Sequence, residues 1–244
     1  MTELKNNEPK KKGLDTNSNA YTMIYAALLV IGVAVLLAFA SQSLQDMQKN
    51  NIAIDKKMQI LRSIGVSATA DNAEEEYGKL IKNSFVINRE GAQVDGDAFA
   101  LELSKELKKS AAEQQFPVFE AEIDGSKKYV IALSGAGLWG PIWGYIAFND
   151  DLSTVYGADF SHQGETPGLG AEIAKPEFSG EFVGKSIFAD GEFTSIMVVK
   201  PGKAIAGIAC VDGISGGTIT STAVDQMLRN TIEAGYLNYF TSNK

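Results

Sequence analysis

The chain has 244 residues, a hydrophobic content of 45% and a formal net charge of −8, enough apolar material for at least one full core. The acidic balance excludes proteins that bind nucleic acid through clustered lysine and arginine. One cysteine, Cys210, and one histidine, His162, exclude an intramolecular disulfide and exclude zinc, iron–sulfur and bis-histidine haem sites held by this chain alone. Redox chemistry in this chain would therefore need an organic cofactor.

The first predicted element is a membrane-spanning helix over residues 20–40. This run contains no charged side chain, and as a helix it is about 31 Å long, which matches the bilayer core. Lysines 10–12 precede it, so the positive-inside rule predicts that residues 1–19 are cytoplasmic and that the chain after the span is extracytoplasmic. The alternative is a cleaved signal peptide, since Ala38-Phe39-Ala40 resembles a cleavage site. The length of the apolar run favours the retained anchor.

Three helices are predicted between this span and residue 116. Residues 44–66 carry apolar side chains at spacings of three and four and predict a packed juxtamembrane helix. Residues 71–83 and 96–109 predict two more helices, the second capped by Asp95 or Asp97. Residues 41–116 are therefore interpreted as the juxtamembrane and helical part of the extracytoplasmic domain. The apolar positions of the first helix are Ile54, Met58, Leu61 and Ile64.

From residue 117 to 244 the pattern changes to short β-favouring runs separated by turn signals such as Asp-Gly and Pro-Gly. The chain then closes with an amphipathic helix from about Ser221 to Tyr239. The fold class is α+β: one transmembrane helix followed by an antiparallel-rich sheet with packed helices. The predicted strands are Val118–Ile123, Tyr129–Leu133, Trp143–Phe148, Thr154–Phe160, Phe193–Val199 and Ala204–Val211. The apolar stripe of the last helix is Ala223, Val224, Met227, Leu228, Ile232 and Tyr236.

The segment with most chemical information is residues 212–222, Asp-Gly-Ile-Ser-Gly-Gly-Thr-Ile-Thr-Ser-Thr. It leaves a strand, passes through three glycines and enters a helix, whose first turn carries a positive dipole end. Its hydroxyl groups add hydrogen-bond donors, so the segment is a candidate phosphate cradle. It has neither a P-loop ending nor a GxGxxG spacing. The composition alone favours a tight turn before a Ser/Thr-capped helix.

Residues 212–218 resemble the flavinylation motif Asp-x-x-Ser/Thr-Gly-Ala-Thr of FMN-binding domains. In that family a flavin transferase uses FAD to attach FMN to the final threonine as a phosphoester. The resemblance places the ester on Thr218 and gives Asp212 a role in recognition by the transferase. Gly217 stands where the family has alanine. By the same resemblance Ser215, Gly216, Gly217 and Thr220 are expected to contact the cofactor.

Two further stretches are similar to the C subunit of sodium-translocating NADH:quinone reductases. Residues 137–145 are similar to its Gly-Leu-Trp-x-Pro segment, and residues 162–170 contain its Glu-Thr-Pro-Gly-Leu-Gly loop. This loop is a rigid turn started by proline. Its backbone donors are expected to meet the flavin, and Leu169 to pack on the ring. The predicted cofactor contacts here are Glu165, Thr166, Gly168 and Leu169.

The other noteworthy side chains receive structural interpretations. Trp139 and Trp143 are expected in the core, which is the commonest place for aromatic residues. His162 is expected to satisfy a loop hydrogen bond, and Cys210 to be a small buried hydrophobe.

The resemblance implies a subunit that carries covalent FMN and relays electrons within a membrane complex that oxidises NADH, reduces quinone and exports sodium. The chain contains no complete active site, and its implied partners are the other subunits, the flavin transferase and the membrane. One alternative is the G subunit of an Rnf-type ferredoxin:NAD oxidoreductase, which shares the motif and the anchor. Another is a non-redox extracytoplasmic binding domain with an unmodified Thr218.

Overall fold

The computed structural model describes Thr16 and residues 18–243. Helix α1 runs from Asn19 to Ser63, and its N-terminal half is long and apolar enough to cross a membrane. The described residues up to Ile52 form one compact unit, and those from Ala53 onward form another. Most of the predicted cytoplasmic segment 1–19 lies outside the described residues.

The C-terminal turns of α1 belong to the second unit and pack into its core, as the spacing predicted. Leu61 and Ile64 are fully buried, and Ile60 is buried as well. The helix ends where Gly65 adopts a φ of +77°, a left-handed conformation that glycine accepts without a steric penalty.

The centre of the second unit is a six-stranded antiparallel sheet with the order β2-β1-β3-β4-β5-β6. Between β3 and β4, Asp124 and Gly125 both have positive φ, which is the geometry of a tight Asp-Gly hairpin. The predicted boundary at residue 117 falls inside β3, so both predicted segments contribute strands to one sheet. The strands are β1 Ile81–Asn88, β2 Gln93–Val94, β3 Gln115–Ile123, β4 Ser126–Ala136, β5 Pro141–Phe148 and β6 Val155–His162.

Helices cover both faces of this sheet. Cross-strand pairs share a face, and Trp143 of β5 and Asp159 of β6 lie on the same one. The end of α1 docks there: Gln59 accepts a hydrogen bond from the Trp143 indole at 2.9 Å, and Arg62 forms two hydrogen bonds to Asp159. The C-terminal helix packs on the opposite face, where Met227 contacts Gly135.

The C-terminal helix has three parts: α5 Thr218–Thr231, a π-helical turn Ile232–Tyr236, and α6 Leu237–Ser242. Every residue of its predicted apolar stripe is buried. In the π turn, a side chain on Gly235 would lie 2.1 Å from the Phe116 ring, so glycine admits that ring against the helix. The helix therefore begins three residues earlier than predicted and contains a wider turn that its sequence pattern does not reveal.

The two helices predicted before the sheet are much shorter in the structure. Helix α2, Ala73–Leu80, stops where β1 begins, and this strand was not predicted because its first half is polar and exposed. Helix α3 covers only Leu103–Glu106. The Asp97 carboxylate does cap a turn, through the N–H groups of Phe99 and Ala100.

Lys56 of α1 contacts the chain where that turn ends, just before Glu102, whose extended backbone (φ −104°, ψ 101°) separates the turn from α3. Its ammonium group donates to the carbonyl oxygens of Phe99 and Leu101 and lies 4.9 Å from the centre of the Phe99 ring. Lys56 therefore holds the end of this turn against α1.

Burial lowers the pKa of Lys56 to about 8, although Asp97 and Glu102 act to raise it. Because lysine in the unfolded chain keeps its proton up to its ordinary pKa, the contribution of Lys56 to the free energy of unfolding should rise between about pH 8 and pH 10.5. Urea unfolding of the native chain and of Lys56→Met across this range is the test. The difference in free energy of unfolding between the two chains is expected to shift in favour of the native chain as pH rises. A difference that stays constant with pH would contradict the lowered pKa of Lys56.

After β6 the chain forms small peripheral elements that lead to the last helix. The predicted strand Phe193–Val199 is split in two, since Ser195 between the halves has a φ of +61°. Of the predicted strand Ala204–Val211, only the end is extended. The elements are a 3₁₀ turn Gly170–Ala174, α4 Pro176–Gly180, β7 Phe188–Ala189, β8 Glu192–Phe193, β9 Met197–Val199 and β10 Cys210–Asp212.

Candidate functional site

The glycine-rich loop 213–217 connects β10 to α5. Strand β10 pairs in parallel with β9, and the Gly213 N–H extends this pairing by donating to the Val199 carbonyl at 2.7 Å. Asp225 of α5 accepts a hydrogen bond from the Val198 N–H at 2.8 Å. The loop is therefore held between a short sheet and the helix that it starts.

Ser221 fixes the inside of this loop. Its buried hydroxyl accepts from the Ile214 N–H at 2.8 Å and donates to the Gly217 carbonyl at 2.9 Å. Ser215, which the motif places among the cofactor contacts, is exposed.

Thr218 is the first residue of α5 and is exposed. The first N–H groups of a helix have no intrahelical acceptor and carry a partial positive charge. The Thr218 hydroxyl therefore stands at a point that favours a bound anion.

The 166–170 loop lies directly against the two central glycines of the motif. A Cβ on Gly216, whose φ is +77°, would lie 2.7 Å from Leu169 Cδ2, and one on Gly217 would lie 3.1 Å from Ile214 Cβ. Glycine at 216 adopts this positive φ without strain and leaves room for Leu169 Cδ2. An alanine at 217, the usual family residue, would fit after a shift of a few tenths of an ångström.

The carboxylate of Glu165 joins the three motif segments. Its Oε1 accepts from the Trp139 N–H at 2.9 Å, and its Oε2 accepts from the Thr220 hydroxyl at 2.7 Å. The side chain is only 5% exposed. Burial acts to raise the pKa of Glu165, but hydrogen bonds from Thr220 and from the backbone of Trp139 and Leu138 hold it below its ordinary value. The group is therefore ionised at neutral pH.

Two glycines leave the space that this carboxylate occupies. A Cβ on Gly170 would lie 2.3 Å from Thr220 Oγ1 and 2.4 Å from Glu165 Oε2, and one on Gly137 would lie 2.5 Å from Glu165 Oε1. These distances are all shorter than a van der Waals contact. Glycine at 137 and 170 is therefore a condition for the hydrogen bonds of Glu165.

Large apolar side chains are exposed on the surface near the buried Glu165 carboxylate. Trp139 was predicted in the core but is 67% exposed, because it lies in the turn between β4 and β5 and its backbone N–H points inward to Glu165. Trp143 is half-buried. The exposed group is Leu138, Trp139, Leu169 and Ile219.

A small cleft of about 110 Å³ opens on one side of Thr218. Lys200 and Pro201, which follow β9, form one wall, and Thr218, Ser221 and Thr222 contribute to the other. Sequence reasoning missed Lys200, since a lysine before a Pro-Gly turn gives no indication of which distant segment it will approach.

The remaining predicted residues have clear structural partners. Asp212 is exposed, accepts from the Gly202 N–H at 3.1 Å and donates its own N–H to Glu181 at 2.8 Å. The His162 Nδ1 accepts from the Glu165 N–H at 3.2 Å, which is the kind of loop hydrogen bond expected of it. Cys210 is half-buried.

The backbone donors of the 166–170 loop are less available than predicted. The Thr166 carbonyl accepts from the N–H groups of Leu169 and Ala171, and the Gly168 N–H donates to Glu172 at 3.0 Å. These contacts close the loop on itself, because a turn of this kind satisfies its own donors. Leu169, by contrast, does present its side chain to the surface.

These residues fit a phosphate ester with an aromatic ring attached. An exposed hydroxyl stands at a helix N-terminus, a lysine lines the adjoining cleft, and apolar side chains on the neighbouring loops offer a surface for a planar ring. Within the described part of the chain, no group of His, Cys, Asp and Glu side chains is suited to holding a metal ion.

Comparison with known proteins agrees with this geometry. Residues 137–233 match the family described as FMN-binding domain, and this range contains Glu165, Lys200 and Thr218. The chain is 32% identical over 223 residues to the C subunit of the Na(+)-translocating NADH-quinone reductase of Vibrio anguillarum, covering 83% of this chain and 86% of that protein. It is 27% identical over 251 residues to the same subunit of Pseudomonas aeruginosa, covering 93% and 96%.

Two solved structures share the fold. The crystal structure of the equivalent Na(+)-translocating NADH-quinone reductase subunit from Parabacteroides distasonis has 57% sequence identity and a TM-score of 0.77, covering 81% of this chain and 97% of that one. The NqrC structure from Shewanella oneidensis has 25% identity and a TM-score of 0.67, covering 79% and 98%.

Proposed function

The chain belongs to the NqrC family, the C subunits of the Na(+)-translocating NADH-quinone reductases, and from this premise we propose that it carries FMN on Thr218 and relays electrons within such a complex. The observation that carries the proposal is the position of Thr218. Thr218 is the first residue of α5 and is exposed. It lies beside a cleft that Lys200 lines and near a cluster of exposed apolar side chains. Bound FMN would supply the capacity to accept electrons and pass them on.

The residues of this chain hold and shield such a group. The N–H groups of the first turn of α5, and Lys200 in the adjoining cleft, would offset the charge of a phosphate diester on Thr218. Leu169 and Trp139 offer apolar contact to the ring. The glycines at 216 and 217 let Leu169 and its loop approach the start of α5 closely.

The NqrC relatives favour a quinone reductase over an Rnf-type complex, and the assembled site favours a flavoprotein over a non-redox binding domain. The chain is thus one component of a multi-subunit, membrane-anchored translocase, and its partners are the other subunits of that complex and a flavin transferase. No nucleic acid is among them.

Residues 20–40 are proposed to span the inner membrane, with residues 1–19 in the cytoplasm. Residues 41–116 and the FMN-binding part 117–244 then lie on the extracytoplasmic side of the membrane. The lysines before the apolar run support this orientation.

Covalent attachment is tested by expressing the chain with and without a flavin transferase, denaturing it in acid and measuring flavin fluorescence on the polypeptide. Fluorescence that stays with the chain only when the transferase is present is the expected result. Complete release of flavin, while a control protein is labelled, would overturn the proposal.

Asp212 has two interpretations that substitutions separate. If the transferase recognises its charge, both Asp212→Asn and Asp212→Ala should abolish labelling. If Asp212 only accepts the Gly202 N–H, the asparagine variant keeps an acceptor oxygen and should be labelled normally. We expect the first result, because the second carboxylate oxygen has no partner among the described residues. In-gel flavin fluorescence of the three chains is the measurement.

A further inference from the structure

Glu165 occupies a position that the family motif alone does not explain. The motif places it beside a flavin, yet its carboxylate is 5% exposed and both of its oxygens accept hydrogen bonds from protein groups. A carboxylate in this state has little surface left for a ligand. Its contacts lead to three separate segments: the turn between β4 and β5, its own loop, and the first turn of α5.

We propose that Glu165 is the positioning residue of the flavin site, which fixes the Leu138–Trp139 turn, the 165–170 loop and the start of α5 relative to one another. This inference rests on the proposed function and specifies how its site is held. Trp139 and Leu169 are exposed side chains on two of these segments, and Thr218 lies on the third. A group that joins all three therefore sets where the apolar walls stand relative to the attachment point.

The site needs an acceptor for the Trp139 N–H and a polar partner for the Thr220 hydroxyl at this position. The Trp139 N–H and the Thr220 hydroxyl both donate to Glu165, and charged acceptors form stronger bonds to such donors than neutral ones. The absence of side chains at Gly137 and Gly170 makes room for both oxygens. The carboxylate thus fills the space that Gly137 leaves beside Oε1 and Gly170 leaves beside Oε2.

The first experiment needs no flavin. Amide hydrogen exchange is measured by mass spectrometry on the full chain with Thr218→Ala, so that no cofactor is attached. Adding Glu165→Ala should accelerate exchange by about tenfold or more in peptides covering 137–141, 165–171 and 218–222. The central part of β4 should exchange as before.

Two further variants keep the test decisive. Glu165→Gln keeps an acceptor for the backbone donors and can donate to Thr220, whose hydroxyl rotates to accept; it should restore slow exchange. Thr220→Val removes one donor only, and should accelerate exchange in 165–171 and 218–222 but leave 137–141 slow. Thr220→Val and Glu165→Gln decide the matter even if Glu165→Ala unfolds throughout.

The second experiment uses the flavin-loaded chain and a signal that stability alone does not change. Visible circular dichroism of the flavin reports a fixed ring orientation, and it should be lost in Glu165→Ala and retained in Glu165→Gln at equal flavin content. Unchanged exchange in Glu165→Ala, or a glutamine variant that behaves like alanine, would overturn the positioning role. A native chain that takes up no flavin would instead contradict the proposed function, and the flavin-free exchange data would still decide the role of Glu165.

Discussion

A chain with Thr218→Ala is expected to fold normally and to carry no flavin after denaturation. The side chain is exposed at the start of α5, so its removal should change the free energy of unfolding by no more than about 0.5 kcal/mol. Without the hydroxyl oxygen no phosphoester can form, and the loss of covalent flavin should be complete. Acid precipitation followed by flavin fluorescence measures it.

Thr222→Ala is the matched control for this substitution. Thr222 is also an exposed threonine, lies one turn further along α5 and lines the same cleft. Its hydroxyl donates to the Thr218 carbonyl at 2.9 Å, a contact typical of a helix interior. The control should keep its flavin. Loss of flavin in the Thr222 variant together with retention in the Thr218 variant would move the ester to Thr222.

Gly170→Ala is expected to be the most disruptive single methyl addition at the site. The new Cβ would lie 2.3 Å from Thr220 Oγ1 and 2.4 Å from Glu165 Oε2, so the hydrogen bond between these side chains must break or the loop must move. Overpacking of this kind costs about 1–3 kcal/mol. We expect a lower urea midpoint and, in the loaded chain, weaker flavin circular dichroism.

Gly78→Ala serves as the control for this effect. Gly78 lies in α2, and a Cβ there would meet nothing within 4 Å. Alanine in a helix interior is more favourable than glycine by about 0.5–1 kcal/mol, so this variant should be equally or more stable. Equal behaviour of the two alanine variants would show that Gly170 is not packed as described.

The sequence predicted most of the sheet and the last helix, because their signals are local. Clear turn signals separate strands β3 to β6, and the apolar stripe from Ala223 to Tyr236 follows helical spacing. Strand β1 was missed because its polar first half lacks the alternation of apolar and polar residues that indicates a strand. The helix expected at 96–109 is largely absent, since Glu102 is extended and only Leu103–Glu106 is helical. Near this break Lys56, distant in sequence, contacts the carbonyls of Phe99 and Leu101, and no local pattern indicates such a contact.

At the site, the motifs indicated three segments that the folded chain brings together, but not how these segments meet. That Thr218 begins a helix follows from the glycines before it and the apolar stripe after it. The burial of Glu165, the exposure of Trp139 and the approach of Lys200 depend on loops that come together only in the folded chain. The glycines at 137 and 170 were the available signal, since each removes a side chain at the point where the carboxylate packs.

The attachment of FMN to Thr218 through a phosphoester is tested most directly by tandem mass spectrometry. The chain is purified from a host with an active flavin transferase and digested without reduction of the flavin. We expect the peptide containing residues 213–222 to gain the mass of FMN less one water, with fragment ions that place the addition on Thr218. An unmodified peptide, with a control substrate labelled in the same host, or an addition at any other residue would contradict it.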